Sequence, residues 1–209
     1  MGMSNSNNLK MFPHFQHKHK KENELEVYIV LTQTRTYFAR LIKLYTREPY
    51  AHASIAFDAE LLEMYSFGRK RPNNPFITGF IQEEIDRGVF GKYVETACSV
   101  YSLKVTKEQY ERIKQEVEIF KENKEKYSYN FLGILGVMVN IPVNDKNRYF
   151  CSQFIAYILE RSGIDLFHKS YGLVRPFDIR MCPKLKKVYK GKLINYRNSK
   201  SNLLSEQTI

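Results

Sequence analysis

Two residues in this sequence could together attack and protonate a carbonyl compound: Cys151 and, 99 positions before it, His52. A thiol is nucleophilic as its thiolate, and a helix N-terminus favours that form through unpaired amides and the helix dipole. Cys151 opens such a segment, because Phe150, Phe154 and Ile158, with Ile155 and Leu159, form an apolar stripe at helical spacing that Gly163 ends. Cys98 lies in an apolar strand-like run, where burial leaves a thiol inert, and Cys182 precedes Pro183 with no evident base. Of the five histidines, His14, His17 and His19 fall in a polar, lysine-rich start, which leaves His52 and His168 as candidate bases. His52 begins the run His52-Ala53-Ser54-Ile55-Ala56-Phe57, whose alternation puts His52, Ser54 and Ala56 on one face with room for another group. His168 lies in a polar loop. A lone cysteine is often only a small core residue, and a histidine can be satisfied by backbone, so position alone leaves both readings open.

These residues need elements to hold them. Val27 to Leu31 predicts a buried strand, and Tyr37, Phe38, Leu41, Ile42 and Tyr45 predict a helix after it. His52 to Phe57 and Leu61 to Phe67 read as a hairpin, and the Gly-, Pro- and Asn-rich stretch from Gly68 to Gly91 as a long surface excursion. Cys98 to Leu103 alternates like a strand. Thr106-Lys107-Glu108-Gln109 is a capping box opening a helix with Tyr110, Ile113, Val117 and Phe120 on one face. Val188-Tyr189 and Leu193-Ile194 read as closing strands. Mixed strands and helices without repeats predict an α+β fold.

Composition narrows the function classes. The 209 residues suit one domain, expected over 23–197, between a mobile polar tail at 1–22 and a flexible one at 198–209. The longest apolar stretch, Phe131 to Val139, is too short to span a bilayer, and the first residues lack the pattern of a secretory signal, so a cytoplasmic location is expected. Met1, Gly2 and Ser6 meet the loose myristoylation pattern, which a flexible start explains more simply. Three cysteines with no CxxC pair argue against a disulfide framework and a zinc site. The formal charge is +11, and Arg180, Lys184, Lys186, Lys187, Lys190, Lys192, Arg197 and Lys200 follow one another without an acidic residue. Such a basic end suits a solvated face, or contact with anionic lipid or an acidic polymer. Nucleic acid is not expected, since no aromatic RNA-binding motif or helix-turn-helix pattern is present.

The segments Tyr37-Phe38-Ala39-Arg40-Leu41-Ile42, Pro49 to Ala56, Leu62-Glu63-Met64-Tyr65 and Tyr149 to Ala156 resemble the circularly permuted papain-like cysteine hydrolases of the NlpC class, within them the YiiX-like group. The resemblance runs from about Val27 to Pro183. It implies an antiparallel sheet carrying the base, packed against a helix carrying the nucleophile, with His before Cys in the chain. It also implies a third polar residue on the strand after the histidine that holds the imidazole, and Glu63 falls there. Tyr50, two residues before His52, is a candidate donor to substrate or to an oxyanion, beside the backbone amide of Cys151. The chemistry implied is acyl transfer through a Cys151 thioester, with no metal or organic cofactor. Relatives of the fold divide between hydrolases of cell-wall-type peptides and enzymes similar to lecithin retinol acyltransferase that move lipid acyl groups. Amide hydrolysis in a small peptide is the first expectation. Lipid acyl transfer at a membrane surface and a catalytically silent binding module are the alternatives.

Overall fold

The computed structural model describes residues 24–34, 48–197 and 199, without the side chains of residues 75 and 76. The helix expected from Tyr37 to Tyr45 and both expected tails, apart from Ser199, lie outside the described residues. Eight strands are described: β1 (Leu25–Gln33), β2 (His52–Ala56), β3 (Met64–Arg71), β4 (Asn74–Glu83), β5 (Ala97–Val105), β6 (Ser128–Tyr129), β7 (Arg148–Tyr149) and β8 (Lys186–Lys192). The helices are α1 (Gly88–Lys92), α2 (Lys107–Glu122), α3 (Phe131–Met138), α4 (Cys151–Arg161) and α5 (Pro176–Met181). Six strands form one antiparallel sheet in the order β4-β3-β2-β1-β5-β8, and β6 and β7 pair in parallel beside it. This is a mixed α+β fold. Among the described residues no helix is long and apolar enough to cross a membrane.

Alternation along the strands gives the sheet two apolar faces. Ile29, Leu31, Ala53, Ile55, Tyr65, Phe67, Phe80 and Tyr101 belong to the larger core, with Ile113, Val117 and Phe120 of α2 and Phe154, Ile155, Ile158 and Leu159 of α4. Aromatic rings join the layers: Phe154 lies 5.3 Å from Phe67, 5.7 Å from Phe80 and 5.1 Å from Phe120, centroid to centroid. Tyr28, Val30, Ala56, Met64, Cys98 and Val100 form a smaller core on the opposite face, closed by Phe90, Leu193 and Tyr196.

The expected capping box forms, with Thr106 Oγ1 accepting from the Gln109 N–H and Gln109 Oε1 from the Thr106 N–H. Gly163, at φ 75°, follows the end of α4. Two expectations give way. The stretch after Gly68 is no surface excursion: β3 runs on to Arg71, turns through Pro72-Asn73, and returns as β4. Pro75, which argued against a strand, sits near the start of an edge strand, where its missing N–H is tolerated. Leu193 and Ile194 form a 3₁₀ turn rather than a strand, with Leu193 plugged into the smaller core.

The basic end is partly neutralised within the molecule. Arg180 makes a two-pronged pair with Glu48, Lys192 pairs with Glu95, and Arg197 donates to the carbonyl of Glu60. Lys186, Lys187, Lys190 and Lys192 lie on edge strand β8, where lysines oppose pairing with another sheet. Phe154→Ala should cost about 3–5 kcal/mol, since Phe154 is fully buried among three rings. Urea unfolding of the two proteins measures it, and a cost below about 1 kcal/mol would mean that α4 is not held this way.

Candidate active site

Helix α4 begins where the β6–β7 pair meets the sheet, and Cys151 is its first residue. Its N-terminus is fixed by a buried amide network. Gln153 Oε1 accepts from the Phe150 N–H at 3.2 Å and from Asn130 Nδ2 at 3.1 Å, and Gln153 Nε2 donates to the Val143 carbonyl. Asn130 Oδ1 in turn caps α3 by accepting from the Gly133 N–H at 2.8 Å. Ser152 Oγ donates to the Val174 carbonyl at 2.7 Å. Every one of these buried polar groups is paired, so the start of α4 has little freedom.

The histidine comes from the other face of the sheet. His52, Ser54 and Ala56 share the face of the smaller core, and the His52 ring lies 6.5 Å from that of Phe90. Cys151 reaches it because the β2–β3 ladder is short, pairing only Ile55 with Tyr65 and Ala56 with Met64. The Phe57 N–H bonds to the Glu63 carbonyl, so strand periodicity turns the Ala53 N–H the same way, beyond the end of the ladder. That N–H meets the Cys151 sulfur instead, together with the Ser152 N–H and the His52 ring.

Glu83, the last residue of β4, holds the far side of the ring. Its Oε1 is 3.0 Å from His52 Nε2, and its Oε2 accepts from Ser54 Oγ at 2.5 Å. With Nε2 spent on the carboxylate, Nδ1 is the nitrogen left for the thiol. Between the two strands stands Gly68, where a β-carbon would lie 3.3 Å from His52 Cε1 and 3.1 Å from Ile81 Cδ1. A side chain there would crowd the ring out of its track.

The charges follow from these contacts. Burial works against a charged imidazole, but the Glu83 carboxylate and the hydrogen bond to Cys151 outweigh it and lift His52 to about 10. Burial likewise works against a thiolate, yet hydrogen bonding to and the charge of His52, with the amides of Ala53 and Ser152, bring the Cys151 thiol below its ordinary value. The contacts thus favour the thiolate on Cys151 and the imidazolium on His52. By contrast, burial pushes Cys98 up to about 12.

Of the residues singled out by sequence, Cys151 and His52 come together, and Glu63 and Tyr50 do not join them as expected. Glu63 precedes β3 and is two-fifths exposed, accepting from the Tyr65 hydroxyl and pairing with Lys114 at 3.5 Å. The residue on His52 is Glu83, two strands away. Tyr50 lines the cleft with its ring, while its hydroxyl meets Ser99 of β5. The phenol at the sulfur is Tyr129 of β6, whose hydroxyl interacts with both the thiol and the backbone of Cys151; burial and that thiol push it well above its usual value, so it stays a donor. His168 is exposed and bonded to Asp165.

A cleft of about 240 Å³ opens at Cys151, lined by Tyr50, Tyr129, Ile134, Val137, Phe150 and Phe177, with Arg175 and Glu48 as its charged members. The arrangement can add a thiolate to a carbonyl, place the resulting oxyanion near the Cys151 N–H and Tyr129, and return a proton from His52.

No protein-family model and no curated protein matches the chain in sequence. Among solved structures it is similar to the metalloprotein YiiX of Escherichia coli O157:H7, DUF1105, with a TM-score of 0.52 and 15% identity over 80% of this chain and 98% of that one. At that identity the likeness is one of fold. The fold is YiiX-like.

Glu83→Gln should slow Cys151-dependent turnover about 10²–10⁴-fold, because it removes the charge that keeps the proton on His52, whereas Glu63→Gln should change it less than twofold. Kinetics of the two variants against an activated acyl ester decide between them; the reverse order of sensitivity would return the role to Glu63.

Proposed function

We propose that this protein is a cysteine hydrolase of the permuted papain-like type, working through a Cys151–His52–Glu83 triad and a thioester. The observation that carries this reading is the imidazole of His52 set between the thiol of Cys151 and the carboxylate of Glu83. The Cys151 thiolate attacks the carbonyl carbon, and a C–S bond forms as the oxygen takes the negative charge. The Cys151 N–H and the Tyr129 hydroxyl donate to that oxyanion. As the oxyanion collapses, the bond to the leaving nitrogen or oxygen breaks and His52 Nδ1 gives that atom its proton. Water then adds to the thioester, leaves its proton on His52 and releases a carboxylic acid, restoring the thiolate. Glu83 takes no proton; it orients the ring, and Ser54 orients Glu83.

YiiX is described as a metalloprotein, but the site here does not form a ligand set. Cys151, His52 and Glu83 do not converge on one point: the ring separates sulfur from carboxylate, one nitrogen faces each, and the second oxygen of Glu83 is held by Ser54. Among the described residues no other cluster of three or more His, Cys, Asp or Glu is placed for a metal.

Amide hydrolysis in a small peptide was the first expectation from sequence. Of the cleft-lining side chains, Glu48 is spent on Arg180, and the remainder are largely aromatic and aliphatic, which favours the alternative of an apolar acyl group.

Turnover needs a thiolate and an imidazolium together. Since Cys151 is lowered and His52 is raised to about 10, the rising limb of the rate should lie below the ordinary thiol value, and the rate should fall as pH passes about 10. A pH–rate profile with an activated ester tests this, combined with mass spectrometry of the acyl-enzyme on Cys151. A profile rising through pH 8–9 like a free thiol, or acylation that persists in Cys151→Ala, would refute the mechanism.

A further inference from the structure

We infer that the carbonyl attacked by Cys151 belongs to a long-chain acyl lipid, taken from an anionic lipid surface on which helix α3 rests; this builds on the hydrolase reading. From Phe131 to Asn144 the sequence has no charged residue. Helix α3 is apolar on opposite sides. Ile134 and Val137, three apart, line the cleft at Cys151. Leu132, Leu135 and Val139 form a stripe on the other side, and with Ile141 each is more than half exposed. Single exposed aliphatics are common, but a stripe of this kind on the wall of a reactive cleft marks an interaction surface.

The stripe is presented by a rigid element rather than a frayed one. Asn130 caps α3 and bonds to Gln153 at the start of α4, and the Ile141 N–H returns to the Gly136 carbonyl at 2.8 Å. A β-carbon on Gly136 would lie 2.4 Å from the Ile141 carbonyl oxygen, so helix and following loop pack at backbone contact. The apolar helix is thereby tied to the helix that carries the nucleophile.

Charge selects the occupant. The whole chain carries +11, and the uncharged stretch is followed by Asp145, Lys146 and Arg148, of which Asp145 pairs with Arg148 and leaves Lys146 as the surplus charge. Arg175 lines the same cleft as Ile134 and Val137, and it shares the carboxylate of Asp178 with Lys169, so among the described residues these two cations meet one carboxylate. An apolar stripe beside these cations suits a sheet of anionic lipid, with hydrocarbon against Leu132, Leu135 and Val139 and headgroups against the cations. The tail of the bound acyl group then lies along Ile134 and Val137. The C–S bond forms at its carbonyl carbon, the ester C–O bond breaks, the His52 proton goes to the leaving alcohol oxygen, and water releases the fatty acid.

Two measurements on the full chain test this. The first is hydrolysis of 4-nitrophenyl esters of increasing chain length, held below their critical micelle concentrations, with Cys151→Ala as control. Turnover per enzyme at low substrate should rise about fourfold for each CH₂ buried until the cleft is full. The second is flotation with vesicles of phosphatidylglycerol or of phosphatidylcholine, with release of fatty acid followed. Binding and release should favour phosphatidylglycerol, weaken with salt, and fall at least tenfold in Leu135→Asp relative to turnover of a soluble short-chain ester by the same sample. Leu135→Gln, checked by circular dichroism, guards against misfolding. Cys151-dependent turnover that is flat or falling with chain length overturns the acyl-lipid assignment while leaving the hydrolase standing. Chain-length preference without vesicle binding, or sedimentation of the free protein as a dimer that Leu135→Asp dissociates, overturns the docking surface. Loss of all Cys151-dependent turnover strikes the hydrolase reading itself.

Discussion

A charged imidazole kept largely out of water is the constraint around which the site is built. Burial alone would strip the proton from His52, and a buried cation without partners is costly. The proton is held because the Glu83 carboxylate lies on one side of the ring and the Cys151 sulfur on the other. Each partner requires a different part of the fold. Glu83 comes from an edge strand, Cys151 from a helix on the opposite face, and His52 from a strand that parts from its neighbour at the point where they meet.

The split between β2 and β3 connects fold to chemistry. Had the ladder continued past Ile55 and Tyr65, the Ala53 N–H would be spent on β3 and the sheet would stand between thiol and imidazole. Gly68 serves the same end by leaving a track over β3 along which the ring and Glu83 meet. The strand that brings Glu83 is pinned by Phe67 and Phe80, whose rings stand 5.9 Å apart and pack with Phe154 of α4. Core packing and the triad thus share elements, so a loss of packing at Phe154 would also loosen the pair.

Much of this was legible in the sequence where chemistry and local pattern coincide. Cys151 follows from a helix start, His52 from a strand with small neighbours, and α2 from its capping box. Glu83 was not legible, because Pro75 and the glycines made residues 68–91 read as loop, hiding the edge strand that carries it. The turn at Pro72-Asn73 and the alternating run after it were the available signal. Glu63 was assigned by its place after the histidine strand, but proximity in sequence does not fix which carboxylate crosses a sheet. Tyr129 had no local signal, since its position depends on the two-residue pairing of β6 with β7. The hydroxyl of Tyr50 turns toward Ser99 for reasons of tertiary packing that no local pattern contains.

The pairing of a Cys151 thiolate with a His52 imidazolium is read by ultraviolet thiolate absorbance. Difference spectra of the wild-type and Cys151→Ala proteins, taken across pH, isolate the thiolate of Cys151. This thiolate should appear below the ordinary thiol value, and Glu83→Gln and His52→Ala should each move its appearance to higher pH. A wild-type thiolate appearing only near the ordinary thiol value of about 8.5, unmoved by either substitution, would contradict it.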